Sequence, residues 1–326
     1  MPLNALWRST LAADLVPKHP DLFDDTIHVS VETDKARVGE KLETAHVLVD
    51  GNRDAAMLDA PELEHVVVPY VGINDELRKN MLERPHLKLY NSHFNDAFVA
   101  QHAVALLLTC ANRIIEADAP MRQGEWPSRR DDKLLSFALS GKTCLLLGYG
   151  AIGRELEPRL RGLGLDLAVL KRSKSGAEHL TVYGPDQLHE ALGAADVIIA
   201  SLPSTPDTKN MLDKVAFSAM RPGSILINVG RGDVINQYAL YDALESGHLF
   251  GAGIDVWWTY PKGEDTKKNM PPSEAPLHTL TNLVMSPHRA AQYQDWELMS
   301  LKDVAKTLNA IAKGDIRNLV KVDKGY

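Results

Sequence analysis

Short runs of β-branched and aliphatic residues, each closed by polar or turn-forming residues, recur along the whole chain. In the first 95 residues they are Thr26–Val31, His46–Val49 and His65–Val68, and the pattern predicts strands of a small α/β unit. The third run leads into Pro69-Tyr70-Val71-Gly72-Ile73-Asn74, a glycine-containing turn. Ala97–Ile115 is predicted as one long helix, with Ala103–Leu108 apolar enough to be buried nearly all round. Met121–Ser140 carries Pro127, Arg129, Arg130, Asp131 and Asp132 and is expected to be an exposed loop or arm. Further strands are predicted at Cys144–Leu147, Leu165–Leu170, Asp196–Ala200, Ser224–Val229, Gly251–Trp258 and Leu283–His288. A helix is expected from Arg154 to about Leu163, and a closing helix from about Gln294 to Lys313. The alternation is that of an α/β protein.

A length of 326 residues suggests about two domains. With 36 Lys and Arg against 43 Asp and Glu, the net charge is −7. That balance argues against a nucleic-acid or membrane partner. The two cysteines, Cys110 and Cys144, lie in apolar runs. They read as buried thiols of a reducing, cytoplasmic setting rather than as a disulfide. The N-terminus lacks a basic region followed by an apolar run, so no signal peptide is expected, and no apolar stretch reaches membrane-spanning length. No metal site is expected.

The strand at Cys144–Leu147 runs into Gly148-Tyr149-Gly150-Ala151-Ile152-Gly153, and a helical segment follows. This is the G-x-G-x-x-G pattern in strand–turn–helix context. The first glycine allows the tight turn, the second lets a pyrophosphate approach the backbone, and the third lets helix and strand pack closely. The free N–H groups and the helix dipole then favour the anion. About 20 residues on, where an acid would take a ribose 2′-OH, stand Leu170-Lys171-Arg172-Ser173-Lys174. Asp166 is at the leading end of that strand. Lys171, Arg172 and Ser173 suit a 2′-phosphate, so NADP is favoured over NAD; a solvated basic turn is the alternative. Leu202, Pro203 and Thr208, in the polar loop after Ala200, and Val229, closing its strand, fall on the same cofactor side. Arg231, between Gly230 and Gly232 at a strand end, is well placed to reach a ligand, or is a surface arginine in a turn. Asp255 lies close to the end of its predicted strand, and His288 closes the last one. Tyr70, Val71 and Gly72 offer backbone N–H groups for a carboxylate, or form a plain βα turn. Arg53 either reads a polar substrate tail or is solvated. His93 and His102 read as structural.

The ordered set Gly148–Gly153, Asn228-Val229-Gly230-Arg231-Gly232, Asp255-Val256 and Ser286-Pro287-His288-Arg289-Ala290-Ala291 resembles the D-isomer-specific 2-hydroxyacid dehydrogenase family, in particular its glyoxylate/hydroxypyruvate reductases. The resemblance is strong from about Asn91 to Ala291. It implies two doubly wound parallel-sheet α/β domains, Rossmann-like and flavodoxin-like. The cofactor domain, 96–291, is inserted into a substrate domain made of 1–95 and 292–326. It implies hydride transfer between NADP(H) or NAD(H) and a small 2-keto or 2-hydroxy acid, in a homodimer formed through residues 98–140. By the same resemblance Tyr70, Val71 and Gly72 hold the substrate carboxylate. Arg231 pairs with that carboxylate and polarises the carbonyl, and His288 is the acid/base. Asp255 orients the nicotinamide, and Asn95 lies near the cofactor.

One position departs from the family pattern. The usual glutamate before a proline, which pairs with the histidine, falls at Tyr260 in Asp255-Val256-Trp257-Trp258-Thr259-Tyr260-Pro261. A neutral phenol does not stabilise imidazolium as a carboxylate does. Glu264 and Asp265 lie beyond Pro261 as possible substitutes. Trp257 and the missing glutamate are also features of the formate dehydrogenase branch. A one-carbon oxidase and a cofactor-binding, non-enzymatic interaction protein therefore remain as alternatives. Trp258, Tyr260 and Trp296 are candidate pocket walls.

Overall fold

The computed structural model describes residues 2–51, 54–126, 134–173, 175–261, 263 and 269–323. Arg53, Pro127, Arg129, Arg130, Asp131, Asp132, Lys174, Glu264 and Asp265 lie outside the described residues. The chain divides into two compact units, Met1–Asn95 with Tyr293–Tyr326, and Asp96–Gln292.

The first unit is built from β1 (Leu3–Trp7), α1 (Thr10–Leu15), β2 (Ile27–Val31), α2 (Lys35–Leu42), β3 (Val47–Val49), β4 (His65–Val68), α3 (Asp75–Leu82) and β5 (Lys88–Asn91). Its five strands pair in the order β2-β1-β3-β4-β5, all in parallel. This is the flavodoxin-like order. Val47, Val49, Val66, Val67 and Val68 are fully buried, as expected for strands covered on both faces. Asn74 ends the turn after β4 by accepting the Leu77 N–H and capping α3. The last helix of the chain, Trp296–Ala312, belongs to this unit. Its Asp303 accepts from Ser92 Oγ and from the His93 N–H, and its Asn309 accepts the Asp24 N–H and donates to the Leu22 carbonyl.

The second unit opens with α4 (Asp96–Ala111) and α5 (Ile114–Met121). It continues with β6 (Thr143–Leu147), α6 (Ala151–Gly162), β7 (Asp166–Leu170), β8 (Thr181–Tyr183), α7 (Leu188–Ala194), β9 (Val197–Ala200), α8 (Lys214–Ala219), β10 (Ser224–Asn228), α9 (Gln237–Glu245), β11 (Leu249–Ile254) and β12 (Leu283–Met285). Trp296–Ala312 of the first unit is α10. The seven strands pair in the order β12-β11-β10-β9-β6-β7-β8, again all parallel. The order turns round at β6, next to β9, and ligands of such sheets bind at the carboxyl edge beside that switch.

The predicted helix 97–115 is two helices. Arg113 sits at φ 49°, in the left-handed region, and ends the run. Ala105 is exposed, so α4 is not buried all round. The other face of α4 lies on β11, and the small residues of that strand make the approach possible. A Cβ on Gly251 would stand 2.6 Å from Cys110 Sγ and 2.8 Å from the Asn282 carbonyl. One on Gly253 would stand 2.9 Å from both Leu106 Cβ and Ile227 Cδ1. Both cysteines are free and buried. Burial pushes both thiols up, Cys110 to about 12. Among the described residues no single helix is long and apolar enough to cross a membrane.

Gly251→Ala is expected to destabilise the protein by about 1–3 kcal/mol through overpacking. It should lower the urea midpoint without a change in slope. An unchanged midpoint would show that α4 is free to retreat from the sheet.

Candidate active site at the carboxyl edge of the second sheet

The strands β6, β9, β10, β11 and β12 are parallel, so the turns that follow them meet along one edge. Backbone approaches closer than a Cβ permits join these turns. Gly148 sits at φ 91°, and a Cβ there would meet Leu202 Cδ2 at 3.0 Å. A Cβ on Gly230 would be 2.5 Å from the Leu202 carbonyl, and one on Gly232 would be 2.4 Å from that of Trp257. The glycines on either side of Arg231 are thus fixed by contact with the neighbouring turns.

Gly150, by contrast, faces open space: nothing lies within 4 Å of its Cβ position. It is the N-cap of α6, and no side chain caps that helix. Gly153 packs on Gly148, where a Cβ would meet the carbonyl at 3.0 Å. The turn therefore has room for a phosphate at the second glycine, free N–H groups from Ala151 and Ile152, and the positive helix end behind them. These residues fit the pyrophosphate of a dinucleotide. Tyr149 is buried; its hydroxyl donates to Glu157, which also accepts from Arg161 and pairs with His179.

At the end of β7, Lys171 is turned back onto the fingerprint. Its Nζ lies 5.5 Å from the centre of the Tyr149 ring and donates to the Ser175 carbonyl at 2.6 Å. Arg172 and Ser173 are exposed. Exposed Glu178 accepts the Gly176 N–H of its own loop. After β9, Leu202 and Pro203 line the edge. Thr208 Oγ1 donates to the Pro203 carbonyl at 2.6 Å and is 8% exposed, so it holds the loop's shape. The Val229 N–H extends the sheet by donating to the Ala200 carbonyl.

Arg231 is presented by a side-chain clamp. Buried Asn228 accepts the Gly230 N–H and donates to the Arg231 carbonyl, both at 3.0 Å. The Arg231 guanidinium donates to the Gly230 carbonyl at 2.7 Å and leaves its other donors on the edge. His288 follows β12 with φ 53°, a conformation costing a non-glycine residue on the order of 1 kcal/mol or more, and such strain clusters at functional sites.

Asp255 holds that strained turn. It is 1% exposed. Oδ1 accepts from Ser286 Oγ at 2.5 Å and from the Arg289 N–H at 2.9 Å, and Oδ2 accepts from the Ala290 N–H at 3.1 Å. His102 Nε2, on α4, lies 2.9 Å from Ser286 Oγ and 3.4 Å from Asp255 Oδ1. Burial would raise the Asp255 carboxyl, but its bonds to His102, Ser286 and the two backbone N–H groups outweigh it and hold the group below the usual carboxylate range. Burial lowers the His288 imidazole; the Asp255 charge opposes this and the Arg231 charge adds to it, leaving it below 6.5.

Tyr260 packs its ring against His288, with centroids 5.4 Å apart. Its hydroxyl oxygen accepts the Trp257 N–H at 2.9 Å. Burial raises this phenol despite that bond, so it stays neutral. No carboxylate hydrogen-bonds the His288 ring among the described residues. Trp258 Nε1 is held by the Ile235 carbonyl, and Trp296 begins α10 in the first unit.

Tyr70, Val71 and Gly72 lie in the first unit, just after β4. The Tyr70 hydroxyl donates to the Gly51 carbonyl at 3.0 Å, and the Val71 carbonyl accepts from Asn91. No bond from the Val71 or Gly72 N–H is present among the described residues. Asn95 is 9% exposed, and its Oδ1 is buried without a partner, an acceptor left for a donor group. Asn228 and Ser286 have structural work that no sequence assignment gave them, and His102, read as structural, is shown to act through Ser286 and Asp255. The available signal for His102 was an imidazole standing among the apolar residues of α4.

Residues 104–290 match the family model described as D-isomer specific 2-hydroxyacid dehydrogenase, NAD binding domain. The chain is 34% identical over 236 residues to a glyoxylate reductase of Thermococcus litoralis, covering 69% of this chain and 66% of that one. It is 31% identical over 231 residues to a D-3-phosphoglycerate dehydrogenase of Archaeoglobus fulgidus, covering 70% of this chain and 41% of that one. The match thus takes in less than half of that longer relative. A solved NADPH-dependent glyoxylate/hydroxypyruvate reductase from Sinorhizobium meliloti, in complex with citrate, superposes with a TM-score of 0.76 at 25% identity and covers 98% of each chain.

Gly232→Ala is expected to cost about 1–3 kcal/mol, because the Trp257 backbone cannot move as a flexible side chain would. A thermal melt should show a lowered midpoint. A wild-type midpoint would mean that the Arg231 and Trp257 turns are not locked together.

Proposed function

Since the chain belongs to the D-isomer-specific 2-hydroxyacid dehydrogenase family, we propose that it is an oxidoreductase acting on a small 2-keto or 2-hydroxy acid such as glyoxylate or hydroxypyruvate. The observation that carries this reading is the pairing of clamped Arg231 with strained His288. They follow β10 and β12, on the edge that also bears the open end of α6. A bound nicotinamide dinucleotide supplies or accepts the hydride. Gly148–Gly153 would hold its pyrophosphate, with Leu202, Pro203 and Val229 along its path. The Arg231 fork stabilises negative charge developing on the carbonyl oxygen. His288 gives that oxygen its proton in reduction and takes it back in oxidation. In the first unit, the Val71 and Gly72 N–H groups suit a carboxylate. Asp255 is taken up in holding the His288 turn.

NADP is the preferred cofactor in this reading. The end of β7 carries no acid, and Arg172 and Ser173 stand exposed there. Lys171 braces the loop. The chain is read as a cytoplasmic homodimer; exposed Ile114, Ile115, Met121 and Trp126, the last 80% exposed, support a subunit contact in this stretch. Trp257 and the neutral Tyr260 favour the second reading, a one-carbon oxidase. Formate oxidation without reduction of any ketoacid would select it.

Arg231→Ala is expected to lower kcat/KM for glyoxylate and hydroxypyruvate by about a hundredfold or more, in initial-rate assays with NADPH. Arg172→Ala should raise KM for NADPH by about tenfold and leave KM for NADH unchanged. Equal effects on both cofactors would remove the 2′-phosphate assignment. Reduction requires the protonated imidazole. Because the His288 midpoint is lowered, reduction should fall as pH rises through a value below 6.5. Tyr260→Glu adds a carboxylate beside the ring and should move that fall to higher pH. A pH profile of kcat/KM that does not move would exclude His288 as the titrating group.

A further inference from the structure

We propose that His102 is a positioning residue for the reaction: through Ser286 and Asp255 it holds the His288 turn, and Asp255 thereby supplies the electrostatic support that position 260 lacks. The inference rests on the reading of His288 as the acid/base.

The proton count fixes the direction of the contacts. Ser286 Oγ has one proton, and it is donated to Asp255 Oδ1. The nitrogen facing both oxygens, His102 Nε2, must then carry a hydrogen, donated to Ser286 Oγ or to the carboxylate. Asp255 receives in addition the N–H groups of Arg289 and Ala290, the two residues after His288. The carboxylate is therefore tied on one side to α4 and on the other to the backbone that carries the imidazole at φ 53°. Among the described residues of this unit the groups acting on His288 are Asp255, Arg231 and the neutral Tyr260 ring. Those on Asp255 are His102, Ser286 and the two N–H groups. Of these only Asp255 favours the imidazolium. It does so from below the turn, through the backbone it grips, and not by a bond to the ring.

Without the His102 donor, the carboxylate keeps its charge less firmly and the turn loses its tie to α4. Both changes weaken the support for imidazolium. A purely structural histidine would affect stability and leave the titration of His288 unchanged.

The test is an NMR titration of the histidine rings in the whole protein, with His288 identified by the signal lost in His288→Gln, run beside the pH profile of kcat/KM for glyoxylate reduction. Asp255→Asn should lower the His288 midpoint by about one pH unit. His102→Phe should lower it in the same direction by less, and His102→Gln, which restores an N–H donor, should bring it back towards wild type. The alkaline fall of reduction should follow the same order. An unchanged midpoint in Asp255→Asn, a rise in His102→Phe, or equal midpoints in His102→Phe and His102→Gln would overturn the proposal. If Asp255→Asn does not fold, the two His102 variants still decide. If the wild-type protein reduces no ketoacid, the functional reading fails, while the titration still reports the coupling.

Discussion

Close approach of backbones along the carboxyl edge of the seven-stranded sheet is the constraint on which the site depends. Leu202 lies against both Gly148 and Gly230, and Trp257 lies against Gly232. These contacts leave no space for a Cβ, so the turns after β6, β9, β10 and β11 form a single packed strip. The strip needs no strong individual interaction. Its rigidity comes from dense packing, which resists small displacements. Arg231 and His288 are therefore held by turns whose geometry the sheet sets. The Asn228 amide and the Asp255 carboxylate add polar anchors, and burial makes them costly to leave unsatisfied.

Much of this was legible in the residues. The strands β4, β7, β9 and β10 were readable within a residue or two, because buried parallel strands are continuous aliphatic runs. The glycine fingerprint and the glycine–arginine–glycine turn were readable because close approaches at Gly148, Gly153, Gly230 and Gly232 favour glycine, while Gly150 leaves room at the end of α6. Other features were not. Leu3–Trp7 has no β-branched residue, and β5 is a short polar–apolar mixture, Lys88–Asn91. Their place in the sheet comes from pairing with strands distant in sequence. The break at Arg113 was hidden because neither proline nor glycine marks it. The grip of Asp255 on the His288 turn was hidden too, because it depends on partners 31 to 35 residues ahead and on a histidine far behind.

The replacement at position 260 changes the electrostatics of the site without emptying it. Tyr260 keeps an apolar ring against His288 and spends its hydroxyl oxygen on the Trp257 N–H. Two aromatic residues precede it, and Trp257 reaches across to the Ser286 carbonyl at 2.7 Å. The chain has thus substituted packing for charge on one side of the imidazole, while a buried carboxylate remains beneath its turn.

Both cysteines lie in the second unit, Cys144 on β6 and Cys110 on α4 where it crosses β11. Their thiols are raised and shielded, so a thiol reagent meets almost no thiolate in the folded protein. The chain thus carries an intrinsic opening probe confined to one half of itself. The rate at which the two sulfurs become labelled follows separation of α4 from β11 and of β6 from its neighbours. The five-stranded unit, having no cysteine among its residues, is silent in the same measurement.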